Sequence, residues 1–341
     1  MEQIIPKKAI SVEHNWQKDL SNSFTDPLKL IHHLNLDAEK YHQHAKARRL
    51  FPMRVPQHFV ELMEKGNPND PLLLQVMPLS DEFLTSPDYS EDPLDEHDTA
   101  GKGLLHKYDS RVLLMVRTGC AVNCRYCFRR HFPYAENAVN KSQWKDALSY
   151  IASDSSINEV IFSGGDPLMA KDEHLAWLAS EIAAIDHVKR LRIHTRLPVV
   201  LPNRLCQEFE DWFTALPLQT VLVVHANHEK EISFELEEAL NRLRRKRVTL
   251  LNQSVLLKGI NDSADAICAL SERLFAAGVL PYYLHVLDKV QGASHFFVSD
   301  DDGRAIMKEA IKRLPGFLVP KLVREIGGQP GKTPIDLHLH P

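Results

Sequence analysis

Cys120, Cys124 and Cys127 stand in the stretch VLLMVRTGCAVNCRYCFRRHFPY at the spacing C-x3-C-x2-C. Three thiolates on one short loop, directly after the apolar run Val112–Val116, would sit at the end of a buried strand. Such a trio can hold three irons of a four-iron cluster and leave the fourth iron without a protein ligand. An open iron can bind and reduce a small molecule, whereas a cluster closed by four cysteines cannot. With His131 the same cysteines would supply a Cys3His zinc set, although zinc knuckles usually separate their ligand pairs by a longer loop. Five cysteines in 341 residues, with no secretory core in MEQIIPKKAI, argue against disulfides. Cys206 and Cys268 fall in expected helices and read as small buried apolar residues.

Three further stretches could do chemistry. Ser163-Gly164-Gly165-Asp166-Pro167 follows the apolar run Val160–Phe162. Two glycines there allow a close backbone approach to a ligand, and an ordinary βα turn is the alternative. Asn252-Gln253-Ser254 end another apolar strand and need hydrogen-bond partners, either a ligand or the local backbone. Near the C-terminus, GGQPGKTP (327–334) places Lys332 among glycines and prolines. A phosphate loop does not fit, because Pro334 stands where a helix would have to follow. The remaining readings are a flexible loop and a lysine that binds pyridoxal phosphate (PLP).

These residues need a scaffold, and the rest of the chain supplies a pattern for one. Six β-branched runs, Val112–Val116, Val160–Phe162, Leu191–His194, Val221–His225, Val248–Val255 and Tyr282–Val286, alternate with amphipathic stretches near 141–152, 172–185, 203–215, 229–245, 263–277 and 301–314. In one of them Ile232, Leu236, Leu240 and Leu243 share a helix face. Six strand–helix units imply a parallel sheet with covering helices, an α/β partial (β/α)6 barrel with chemistry at the C-terminal ends of its strands. A further run, Leu318–Ile326, is expected to help close the barrel. Four regions follow: a helical N-terminal part (1–77, helices from about 10 to 65), an acidic surface connector (78–107), the barrel (108–315) and a C-terminal segment (316–341).

Bulk properties set limits. Apolar residues make up 44% and charged residues 25% of the chain, as in ordinary globular proteins. A formal charge of −4 gives no pull toward nucleic acid, and the basic run NRLRRKRV (241–248) ends a helix, where cations suit the helix dipole. No apolar run approaches the roughly 20 residues of a membrane span. A reduced cytoplasm is the expected location.

The cysteine loop, with Tyr126 before its last cysteine, resembles the signature of radical S-adenosylmethionine (SAM) enzymes. Taken with SGGDPL, RIHTRLPVVLP (192–202), NQSVLLKGIND (252–262), PYYLHVLDKVQGASHF (281–296) and GGQPGKTP, it resembles the lysine 2,3-aminomutase family. The resemblance implies a radical SAM barrel with an N-terminal helical extension and a short C-terminal PLP-binding segment. It implies a [4Fe-4S] cluster on Cys120, Cys124 and Cys127, SAM at Ser163, Gly164, Gly165, Asp166, Asn252, Gln253 and Ser254, and PLP on Lys332 with Arg111 near its phosphate. Arg129 would grip the substrate carboxylate, and Asp288 and Glu325 the distal amine of L-lysine. The implied activity is an isomerase that converts L-α-lysine to (R)-β-lysine. The short bacterial branch of the family makes β-lysine for the modification of translation elongation factor P by its β-lysine ligase. An electron donor such as flavodoxin or ferredoxin is implied as well.

Two departures stand out. Glu325 replaces the family's usual Asp seven residues before the PLP lysine, which keeps the charge and shifts its reach. Clostridial-type members hold a zinc between subunits through a cysteine at the position of Ser263 and others in a C-terminal tail. The sequence here runs to Pro341 without them, so no such zinc and a weaker assembly are expected. The rival functions are an aminomutase for another amino acid, such as glutamate, and a non-catalytic zinc-binding adaptor.

Overall fold

The computed structural model describes residues 15–41, 52–84, 86–96, 101, 103–133 and 141–339. Residues 10–14 and 42–51 of the expected helical region, and 85, 97–100 and 102 of the expected connector, lie outside the described residues.

Nine strands form one sheet in chain order. They are β1 (Leu104–Tyr108), β2 (Arg111–Arg117), β3 (Glu159–Gly164), β4 (Arg190–Thr195), β5 (Gln219–Val224), β6 (Thr249–Val255), β7 (Leu280–His285), β8 (Lys321–Arg324) and β9 (Thr333–Pro334). Strands β2 to β8 pair in parallel, and β1 and β9 add an antiparallel edge on either side. Val112, Val160, Phe162, Leu191, Ile193 and Leu222 are almost wholly buried, as strands covered on both faces require. The six expected runs are β2 to β7.

The expected helices form at Lys141–Ser153, Asp172–Ala183, Gln207–Ala215, Phe234–Arg245, Ala264–Ala276 and Asp300–Arg313. Phe234–Arg245 shows why. Leu236, Ala239, Leu240 and Leu243 face the core, Ser233 Oγ caps the N-terminus by accepting from Leu236 N at 3.1 Å, and Arg242, Arg244 and Arg245 crowd the last turn. Ser263 caps Ala264–Ala276 in the same way.

Two expectations are corrected. The run Leu318–Ile326 does not close a barrel. Leu318 lies in the turn Gly316–Leu318, Pro320 has no N–H to pair, and the strand that remains, β8, bonds to β7 and β9, so the sheet stays open. The acidic stretch 78–107 is more than a surface connector. It contains β1, which turns back on β2 through Asp109-Ser110, and it buries Glu82 and Glu96. Among the described residues, no helix is long and apolar enough to cross a membrane.

The N-terminal helices are short, at Trp16–Ser21, Pro27–His33, Ala38–Tyr41, Gln57–Glu61 and Pro71–Leu74, and Leu30, Ile31, Leu34, Phe59 and Met63 join the barrel's own core. An ionic knot also fastens this region. The buried guanidinium of Arg125 donates to Glu82 Oε1 at 2.7 Å and to Leu74 O at 2.8 Å, and lies 2.9 Å from His295 Nε2. Arg130 reaches Glu82 Oε2 at 3.4 Å. Removing the shared carboxylate takes a buried counter-charge away from both arginines. Glu82→Ala is expected to cost about 3–5 kcal/mol of stability in denaturant titration, and a loss below about 1 kcal/mol would show that the knot does not hold the region.

Candidate active site

The loops after β2, β3 and β4 meet at the C-terminal ends of the strands, and their contact is backbone on backbone. Gly165 N donates to Arg117 O at 2.7 Å, and Asp166 N donates to Gly119 O at 3.0 Å. Gly164 sits at φ +136°, where a Cβ would meet Arg117 O at 2.1 Å, and a Cβ on Gly165 would stand 2.6 Å from Gly119 O. The glycines therefore admit the start of the cysteine loop itself. Asp166 is buried and accepts from Leu168 N, Thr195 Oγ1, Arg196 N and Leu197 N. Its carboxylate thereby binds the turn after β3 to the end of β4.

The loops enclose a cavity of about 680 Å³, and all three cysteines line it. Burial and the sulfurs of its neighbours push the Cys120 thiol well up, and burial with Cys124 pushes Cys127 up to about 11. A metal centre bound at these cysteines would supply the positive charge that keeps coordinating thiols deprotonated. Arg196 Nη1 donates to Cys124 Sγ at 2.8 Å and also to the Tyr126 hydroxyl. Its Nη2 donates to Gln75 Oε1 at 2.8 Å and to Glu231 Oε2 at 3.1 Å. His131 bonds to Gln291 O, and among the described residues no group of three or more His, Cys, Asp or Glu could hold a single metal ion. A Cys3His zinc site finds no support here.

Residues 115–270 match the model of the radical SAM superfamily. The chain is 56% identical to the L-lysine 2,3-aminomutase of Escherichia coli K12 over 95% of each chain. It is 54% identical to the protein of that name from Haemophilus influenzae, over 97% of this chain and 98% of the other. The lysine 2,3-aminomutase of Clostridium subterminale is 32% identical over 94% of this chain and 78% of its own. The chain belongs to the lysine 2,3-aminomutase family. Among solved structures, SuiB of Streptococcus suis bound to S-adenosylmethionine aligns at TM-score 0.49 and 13% identity over 64% of this chain and 51% of that one.

As a family member the chain is an isomerase of the radical SAM type, and its cofactors are a [4Fe-4S] cluster, SAM and PLP. The residues fit these groups. The three cysteines offer a thiolate set in the cavity wall. Gln253 Oε1, His194 Nε2 and His225 Nε2 are buried without partners on residues that line the same cavity, and unpaired buried polar atoms call for a ligand. Burial holds both histidines well below their usual range, His225 at about 3, so they face the cavity neutral.

The other expected site residues divide. Arg129 and Asp288 line the cavity with Ser163, Gly164, Gly165, Asp166 and Gln253. Asn252 and Ser254 do not. Asn252 accepts from Ala226 N at 2.9 Å and donates to Ala226 O at 3.1 Å, and Ser254 Oγ donates to Ala226 O at 2.8 Å, so both cap the loop after β5. Strand alternation aims Gln253 the other way. Lys332 and Glu325 stand together, Nζ to Oε2 at 2.6 Å, and the Lys332 charge reaches Asp288, His194, His225 and His285. Arg111 stacks over the Tyr108 ring at 4.1 Å, outside the cavity wall, and its charge reaches Tyr283 with that of Arg192.

Sequence reasoning passed over Arg196, His194 and His225, although RIHTRLPVVLP contains two of them. Nothing in a single sequence marks an arginine as sulfur-facing. The strand-end position of His194 and His225 was the available signal. The glycine crossing can be checked directly. Gly165→Ala is expected to keep the fold by circular dichroism while holding less than half of the ~4 irons that a cubane requires after anaerobic reconstitution. Full iron content would show that the loop does not depend on the crossing.

Proposed function

We propose that the chain is an L-lysine 2,3-aminomutase that moves the amino group of L-lysine from C2 to C3 and yields (R)-β-lysine. The observation that carries this reading is Asp288. It is a half-buried carboxylate in the wall that also holds the three cysteines, and no hydrogen bond reaches its side chain among the described residues. A carboxylate in a cavity wall with no hydrogen-bond donor of its own calls for a cation, and the distal ammonium of lysine supplies one.

When bound, the cluster and SAM supply a carbon radical able to take an unactivated hydrogen, and PLP carries the migrating amine. The chain's own part is positioning. Arg129, gripped from behind by Glu96, presents its guanidinium to the substrate carboxylate. Asp288 takes the distal ammonium, and Glu325 adds negative charge beside it. Lys332 is the residue proposed to hold PLP, with Arg111 toward the phosphate, while Ser163, Gly164, Gly165 and Gln253 line the SAM side. The resemblance to the short bacterial branch supports supply of β-lysine to elongation factor P and its ligase, with flavodoxin or ferredoxin as electron donor.

An anaerobic assay with L-lysine, SAM, PLP and a reductant, read by chiral product analysis, is expected to give β-lysine. Borohydride is expected to fix a pyridoxyl group on Lys332, and a label on Lys258 or Lys289 instead would refute that assignment. Asp288→Asn is expected to cut turnover of lysine by about 10²–10³-fold, the kinetic equivalent of leaving an ammonium unpaired. If norleucine, which lacks the amine, loses as much, Asp288 does not read the amine.

A pH test follows from burial, which pushes the Asp288 carboxyl up to about 7. Below that value the acid is protonated unless a cation sits beside it. A bound ammonium favours the ionised form, so lysine binding must expel a proton at low pH, and affinity grows as pH rises through about 7. In the free protein the sign is the reverse, because a raised acid stabilises the fold while neutral and that contribution is lost above about 7. The Kd for lysine is expected to fall between about pH 6 and 8, and Asp288→Asn should flatten the curve.

A further inference from the structure

Glu96, Lys107 and Tyr108 lie between Arg129 and Lys332. Arg129 donates to Glu96 through two nitrogens, Nε at 2.6 Å and Nη2 at 3.1 Å, while its Nη1 donates to Ser163 Oγ at 3.1 Å. Lys107 Nζ stands 2.9 Å from Glu96 and 3.8 Å from Glu325. Glu325 accepts from the Tyr108 hydroxyl at 2.6 Å and, on its other oxygen, from Lys332 at 2.6 Å. Charges therefore alternate without a break along Arg129, Glu96, Lys107, Glu325 and Lys332. Glu96 is 5% exposed, and the side chain of Glu325 is 13% exposed, so this row is little screened by water.

We propose that Glu96 and Lys107 are positioning residues that set the distance between the two ends of the substrate, by fixing Arg129 at one end of the row and Glu325 at the other. The inference rests on the reading that Arg129 takes the substrate carboxylate and that Asp288 and Glu325 face its amine. Two-point contact with Glu96 removes rotation of the Arg129 guanidinium about its long axis. Lys107, held between two carboxylates, ties that plane to Glu325. A site built on such a row discriminates by length, because its anchors cannot slide toward each other to suit a shorter molecule. Ornithine, one methylene shorter than lysine, is the natural probe.

The test uses the holoenzyme loaded with cluster, SAM and PLP. Glu96→Gln keeps the shape and breaks the alternation. It is expected to raise KM for lysine about tenfold or more, leave kcat within about threefold, and erode the preference for lysine over ornithine. Glu96→Asp, which restores charge, should recover most of the lost KM, a rescue that a merely structural role would not show. If Glu96→Gln does not fold, Glu96→Asp and Lys107→Met carry the same comparison. Arg129→Lys separates the inference from the reading beneath it. Unchanged KM in Arg129→Lys defeats the reading. A raised KM there, with unchanged KM and unchanged lysine preference in the Glu96 and Lys107 variants, defeats the positioning role alone. A KM that falls in Glu96→Gln also overturns the proposal, since it would mark Glu96 as a competitor for Arg129.

Discussion

A carboxylate taken out of water needs donors on every side, and Asp166 finds them on two separate loops. Its oxygens accept from Leu168 N within its own turn and from Thr195, Arg196 and Leu197 at the end of β4, while its backbone N–H donates to Gly119 O beside the first cysteine. Loops after three parallel strands are thereby drawn to one point. The consequence for chemistry is indirect. Fixing the Arg196 backbone aims its guanidinium at Cys124 Sγ, and fixing Gly119 sets where Cys120 begins. Burial still pushes the Asp166 carboxyl up, against the pull of its donors. The donors keep the shift from growing and make the group a structural anchor in a cavity full of reactive ones.

The two acids expected at the substrate amine illustrate how environment divides like residues. Burial raises both, yet Glu325 is pulled down to about 2 by Lys332, Tyr108 and Lys107, while Asp288, with no hydrogen bond to its side chain among the described residues, rises to about 7. One carboxylate is fixed as an anion and the other waits on a partner. The extra methylene of Glu325 matters in this light. It lets one residue touch Tyr108 and Lys107 on β1 and Lys332 before β9 at the same time. In this chain the departure from the family's usual Asp coincides with a bridging role, so the substitution is not a simple change of reach toward substrate.

Much of this architecture was legible in the residues because it depends on local pattern. Long β-branched runs marked β2 to β7, and the face of Ile232, Leu236, Leu240 and Leu243 marked a helix, which begins only at Phe234 and so leaves Ile232 in the turn before it. The cysteine spacing was legible for the same reason, and the three cysteines do line one cavity. What escaped was long-range. Glu96 meets Arg129 across 33 residues and Arg196 meets Gln75 across 121, and no spacing rule joins them. Strand β1 was hidden by its mixed composition, LLHKY, and by a turn, Asp109-Ser110, that lacks the usual hairpin glycine. Asn252 and Ser254 could not be told from ligand contacts, since a buried polar side chain at a strand end looks the same whether it meets a cofactor or the next loop.

An open sheet leaves two edges, and exposed edges invite unwanted pairing. Here each edge is an antiparallel strand, β1 on one side and the two-residue β9 on the other, so neither parallel edge strand is left bare. Backbone bonds never join β1 to β9. Side chains do the joining, with Tyr108 and Lys107 from β1 meeting Glu325 just past β8. The seam of the incomplete barrel is therefore ionic where a closed barrel would be apolar and hydrogen-bonded. The ionic seam holds Lys332 and Glu325 together, with Arg111 stacked on the Tyr108 ring beside them. A barrel closed by an added strand would replace that seam with backbone ladder. The open sheet thus lets Glu325 meet side chains of both edges at once, Tyr108 and Lys107 of β1 and Lys332 beside β9.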